Sequence, residues 1–234
     1  MASISRAAER VIVTTGSSGG FPLAFLASFD AGDRVALAAP GYPAYRNILA
    51  ALNLEAVDLP TSAADRFQPT VAALEKAGKI DGLILASPSN PTGTMVDRAE
   101  LKALADWCRR NGVRLISDEI YHGIVYGQPA STAAAFGRES IVINSFSKYF
   151  AMTGWRLGWL VMPSSLNSAM SKLIEFNTSC ASVFSQRAGI AAIQGREQVT
   201  PRVVEHLKQC RDVLVTALQT LPGVQVALPK GGMY

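Results

Sequence analysis

A chain of 234 residues, 49% hydrophobic and only 17% charged, is long and apolar enough to bury a core and too sparsely charged for a disordered protein. Its net charge of +4 comes from 22 basic and 18 acidic residues scattered along the chain, so no lysine or arginine block is set to face nucleic acid or a membrane surface. The three cysteines (Cys108, Cys180, Cys210) stand far apart and two histidines cannot complete a zinc site with them. Free thiols in a reducing, cytoplasmic setting are expected, and no apolar run reaches the length of a membrane span.

The opening MASISRAAER has the arginine and serine of a transit peptide, yet it runs directly into an apolar segment, which argues against targeting. Seven short apolar runs then read as strands: 10–15, 33–40, 54–60, 81–88, 113–119, 141–146 and 157–162. Most are apolar on both faces, as in a sheet covered by helices on either side. Helical patterns separate them, among them PLAFLASF, PAYRNILAAL, PTVAALEKA and DRAELKALADWCRR. The last has clear ends: Asp97 as cap, Glu100 three residues on, and Asn111-Gly112 as a stop. The alternation predicts an α/β fold, a three-layer α/β/α domain around a mostly parallel seven-stranded sheet. After Pro163 the pattern turns helix-rich, with one amphipathic helix over 201–220 and a last strand over 224–228 before PKGGMY. We divide the chain into a large domain, 1–195, and the start of a small α+β domain, 196–234.

Ligands of parallel α/β sheets bind off the carboxyl ends of the strands, so the polar residues there belong together. The first strand ends in TTGSSGG, where glycines and the hydroxyls of Ser17 and Ser18 open a helix to an anion. The second ends in PGYPAY, offering the flat ring of Tyr42, and the fourth in SPSNPTG, presenting Asn90 on a turn. The fifth supplies Asp118 and Tyr121. The sixth supplies Ser145, Ser147 and Lys148, with Arg156 eight residues beyond. A lysine closing the apolar run Ile141-Val142-Ile143 is unusual, because burying an amine is costly. Alone it reads as a snorkelling surface residue, just as Asp118 alone reads as a turn residue and GSSGG as a flexible turn. Together they make a phosphate cup, an aromatic plate, a carboxylate, donors and an amine, which is what pyridoxal phosphate requires. Tyr45, Trp107, Trp155 and Trp159 read as core or interface, His122 as structural, and His206 as solvated.

The motifs PGYPAY (40–45), SNPTG (89–93), SDEIY (117–121) and SFSK followed by TGWRLGW (145–159) resemble those of class I and II aminotransferases, enzymes of fold type I, in the same order over roughly residues 10–234. By that resemblance Lys148 is the Schiff-base lysine and proton shuttle, and Asp118 pairs with the pyridine nitrogen. Asn90 and Tyr121 bind the ring oxygen, and Tyr42 stacks on the ring. Ser17, Ser18, Ser145 and Arg156 hold the phosphate, with Ser147 a weaker member. The resemblance implies amino-group transfer between an L-amino acid and a 2-oxo acid by a homodimer. Against the family pattern the chain reads as truncated at both ends, without the arginine that grips the substrate carboxylate; Arg187, Arg196, Arg202 and Arg211 are not at its motif. This 234-residue chain is accordingly expected to turn over poorly or not at all. Pro22 also sits in the first turns of the phosphate helix, where a proline is tolerable near the N-terminus but unhelpful deeper in.

Three other readings compete. TGSSGGF resembles the dinucleotide turn of short-chain dehydrogenases, but Pro22 replaces the last glycine and no tyrosine precedes a lysine by four residues. The same cofactor site also supports a lyase or racemase, since substrate orientation selects the bond broken. A non-enzymatic cofactor-binding fragment or sensor module is the third.

Overall fold

The computed structural model describes residues 8–234, so the start of the transit-like segment lies outside the described residues. Seven strands form one sheet: β1 (Val11–Thr14), β2 (Arg34–Ala39), β3 (Glu55–Pro60), β4 (Gly82–Ala86), β5 (Arg114–Asp118), β6 (Ile141–Ser145) and β7 (Gly158–Val161). Each lies inside its predicted segment. Their order is β1-β7-β6-β5-β4-β2-β3, parallel from β6 through β3, while β7 runs antiparallel to both β6 and β1.

The period-two alternation of each strand splits the core. Leu83, Leu85, Leu115 and Val142 face one side, where they pack on Leu74 of α3 (Val71–Lys76) and on Leu101, Leu104 and Cys108 of α4 (Arg98–Asn111). Ile84, Ile116, Ile141 and Ile143 face the other. There they meet Phe21 and Phe25 of α1 (Ser17–Leu26), Leu49 of α2 (Pro43–Ala51) and Met170 of α5 (Asn167–Asn177). This is the expected three-layer α/β/α arrangement. α4 begins and ends as predicted. The Asp97 carboxylate accepts from the Glu100 N–H at 2.8 Å, Glu100 accepts from the Asp97 N–H at 2.8 Å, and Gly112 closes the helix at φ 68°.

Two expectations fail beyond β7. The helix expected over 201–220 starts earlier: α7 spans Arg196–Gln219, after α6 (Val183–Gln194), and carries Pro201 inside it. Pro201 is its sixth residue, where the missing N–H costs one bond near the helix start without ending the helix. The strand expected over 224–228 does not form. A strand needs a neighbour to accept its ladder, and among the described residues none pairs with 224–228, where Val224 and Leu228 stay exposed. The chain instead carries on to Pro229–Tyr234, which folds back against the turn after β5 through a bridge between Val125 and Gly231.

Candidate active site

β1, β2, β4, β5 and β6 all end at one edge of the sheet, and β7, running the other way, begins there. That reversal brings Arg156, two residues before β7, to the same edge as the carboxyl-end loops. A cavity of about 230 Å³ opens at this edge, lined by Ser17, Ser18, Tyr42, Asn90, Asp118, Tyr121, Ser147, Lys148 and Arg156, together with Tyr45 and Tyr234. Of the residues expected from sequence, Ser145 alone is not on the wall. It lies buried behind Ser147, its Oγ 2.8 Å from Ser147 Oγ and 3.0 Å from the Leu157 carbonyl.

α1 opens on the cavity without a capping side chain, so its first N–H groups are free to meet an anion. Gly16, its N-cap, has φ 80°, and a Cβ there would stand 2.5 Å from Arg156 Nη2. A bare glycine is what lets the guanidinium lie against the helix end. Arg156 is itself held by a 2.8 Å bond from Nη1 to the Thr153 carbonyl. Lys148, half-buried three residues past β6, belongs to none of the ion pairs found among the described residues.

Asp118 ends β5 deep in the cavity, 6% exposed. Its Oδ1 accepts from the Ile120 N–H at 3.0 Å, and its Oδ2 accepts from the Tyr45 phenol. Burial pushes its carboxyl up to about 6, against the pull of those two donors toward the ionised form. A carboxylate has about four acceptor sites, so the two bonds leave capacity for a further donor. The Tyr45 phenol is raised well above its ordinary value by burial and by the adjoining carboxylate, and it stays a donor. His122 stands behind Asp118, its Nδ1 3.2 Å from Glu119 Oε2 and its Nε2 3.0 Å from the Ser87 carbonyl. Those two contacts tie it to the residue after β5 and to the loop after β4, in keeping with a structural role.

Tyr45 packs in the core as expected, yet its phenol at the cavity is not read from the sequence, and neither is Tyr234. Tyr45 had a local signal: it follows Tyr42 by three residues across the start of α2, so the two rings share a helix face and meet edge-on at 5.3 Å. Tyr234 had none. It reaches Tyr121 across 113 residues and Asn90 across 144.

The Aminotransferase class I and II family model matches residues 2–234. The chain belongs to the class I and II aminotransferases. Among relatives, the valine–pyruvate aminotransferase of Mycobacterium tuberculosis is 54% identical over 187 residues, covering 79% of this chain and 48% of that protein. The aspartate aminotransferase of Pyrococcus horikoshii is 34% identical over 97% of this chain and 59% of its own length. Among solved structures, an aminotransferase from Mycobacterium tuberculosis superposes with a TM-score of 0.85 at 48% identity, over 91% of this chain and 59% of that one. A Thermus thermophilus aspartate aminotransferase variant gives 0.92 at 28% identity, over 97% and 64%. The chain thus spans about half to two-thirds of the length of these aminotransferases.

Pyridoxal phosphate is the cofactor of this family. The aminotransferase cavity fits that group in kind. An uncapped helix end beside a guanidinium suits a phosphate, and a buried carboxylate with spare acceptor capacity suits a ring nitrogen. A half-buried lysine with no acidic partner among the described residues suits an aldehyde.

Proposed function

We propose that the cavity binds pyridoxal phosphate and that the whole protein moves an amino group between an L-amino acid and a 2-oxo acid. The observation that carries this reading is the convergence of Lys148, Asp118 and Arg156 on one cavity at the carboxyl edge of the sheet. Bound there, the cofactor would supply a carbonyl for an amine and a ring that draws electrons from the amino acid's α-carbon. The Lys148 amine would hold it and, once displaced by a substrate amine, carry a proton to and from that carbon. Asp118, ionised and fixed by Tyr45 and Ile120, would keep a proton on the ring nitrogen. Asn90 and Tyr121 would donate to the ring oxygen, and Tyr42 would cover one ring face. Ser17, Ser18 and Arg156 would hold the phosphate. Ser147 would hydrogen-bond beside them, steadied from behind by Ser145.

The likeness to the valine–pyruvate enzyme supports an aliphatic amino acid such as valine as donor and pyruvate as acceptor. Division near residue 195 into a cofactor domain and the start of a small domain is supported by α7 starting at Arg196. A homodimer is supported by the exposed apolar side chains of α6, Phe184 and Ile190 among them. A cytoplasmic location is supported by three unpaired cysteines; among the described residues, no helix is long and apolar enough to cross a membrane.

Borohydride reduction of the chain with pyridoxal phosphate, followed by digestion, should place the label on the Lys148 peptide. Loaded but not reduced, the chain should release about one equivalent of 2-oxo acid from valine, and multiple turnover should be weak in these 234 residues. A label spread over surface lysines would refute the site. Fast steady-state turnover by this chain would refute the impairment.

A further inference from the structure

The segment Pro229–Tyr234 is seated with more care than a trailing loop requires. Lys230 and Gly231 donate their N–H groups to the Gly93 carbonyl at 2.8 and 3.1 Å, and Gly232 donates to the Ile124 carbonyl at 2.9 Å. Tyr126 returns two bonds, N–H to the Lys230 carbonyl at 2.8 Å and phenol to the Gly232 carbonyl at 2.7 Å. Glycine is required on both sides of this seam. A Cβ on Gly93 would lie 2.6 Å from the Pro229 ring, and one on Gly231 would lie 2.5 Å from the Pro88 ring. Gly232 has φ 81°. The turn that this seam fixes aims Tyr234 into the cavity. There its ring meets Tyr121 edge-on at 5.8 Å and its phenol oxygen lies 2.9 Å from the Tyr121 phenol, while accepting from Asn90 Nδ2 at 3.0 Å.

A phenol has one hydrogen. With Asn90 donating to Tyr234, the Tyr234 hydrogen is available for the Tyr121 oxygen, and the Tyr121 hydrogen is then left pointing into the cavity. The chain Asn90→Tyr234→Tyr121 satisfies each member, and polarisation along it strengthens the last donor. Burial raises the Tyr121 phenol above its ordinary range, so it remains protonated and able to donate.

We propose that Tyr234 is a positioning residue of the cofactor pocket, linking Asn90 to Tyr121 so that Tyr121 is a committed donor to the cofactor's ring oxygen. This rests on the reading of the cavity as a pyridoxal phosphate site. The test compares the unaltered chain with Tyr234→Phe, Tyr121→Phe and the double variant, all checked for equal circular dichroism. Cofactor affinity is read by quenching of protein fluorescence, and the pH midpoint of the bound cofactor's visible band by titration. Tyr234→Phe should weaken binding about 2-fold to 10-fold, as for one net hydrogen bond, and move the midpoint in the same direction as Tyr121→Phe. In the Tyr121→Phe background it should add nothing further. Unchanged or tighter binding, or an equal loss in both backgrounds, would overturn the proposal. A second readout is independent of the site reading: in the cofactor-free chain, the Tyr121 Cζ resonance of tyrosine-labelled protein should move in Tyr234→Phe. A resonance that stays in place would also overturn it. Loss of cofactor binding by the unaltered chain, with that resonance still moving, would instead count against the cofactor reading alone.

Discussion

The cavity at the carboxyl edge of the sheet encloses about 230 Å³, and a groove beside β1 and β7 encloses about 410 Å³. The groove is lined by Val11, Val13, Trp159, Val161, Ile190 and Ile193, with Gln186 as its polar exception. The smaller cavity gathers a lysine, an arginine, a buried carboxylate and four tyrosines. Size therefore does not mark the chemistry here. The cavity can orient and protonate a polar ligand, whereas the groove can only shield apolar surface from water. Substitutions in the first should change cofactor capture, and those in the second association.

The sharpest division should come from Asp118→Asn. Because its folded carboxyl sits near 6 rather than 3.8, it holds a proton in the folded chain that it has already released in the unfolded one between those values. The contribution of Asp118 to the stability of the cofactor-free chain is therefore full below about pH 4 and is lost as pH rises through 6, an amount on the order of 3 kcal/mol. Asp118→Asn should flatten that slope while weakening cofactor binding. Melting temperatures of both proteins across pH 4 to 8 measure it, and parallel curves would mean the carboxyl titrates normally.

Arg156→Ala should weaken pyridoxal phosphate binding by about 10-fold to 100-fold, the worth of charge-assisted bonds of roughly 1.5–3 kcal/mol. Melting of the cofactor-free chain should change little, since Arg156 is exposed. A fluorescence titration with no loss of affinity would remove Arg156 from the phosphate site. Asp97→Ala, at a residue that lines neither hollow, should cost about 1 kcal/mol by deleting the cap of α4, with affinity unaltered. Chemical denaturation reads this directly. Ile190→Lys in the groove should alter stability by under about 0.5 kcal/mol and leave the cofactor spectrum alone, while lowering concentration-dependent association in sedimentation. Equal association by both proteins would separate the groove from any dimer contact.

The sheet was legible in the sequence because its signal is local. Runs such as Ile141-Val142-Ile143 are apolar at every position, which suits a strand covered on both faces, and Asp97 with Glu100 writes the start of α4 within four residues. The polar ends of strands were legible for the same reason, since topology sends them all to one edge. The antiparallel course of β7 was not legible, because its apolar run reads alike in either direction. The strand at 224–228 was over-read, since propensity is local and a ladder partner is not. Tyr234 is the extreme case: its place depends on contacts with Gly93, Ile124 and Tyr126, more than a hundred residues away. Tyr45 does pack in the core, as its sequence suggests, but nothing local shows that its phenol also reaches Asp118.

The most direct test is the visible spectrum of the purified chain with pyridoxal phosphate, recorded beside Lys148→Ala at matched circular dichroism. The account predicts a cofactor band in the unaltered chain that persists through desalting and is absent from Lys148→Ala. A band of equal strength in both proteins, or none in a well-folded unaltered chain, would contradict it.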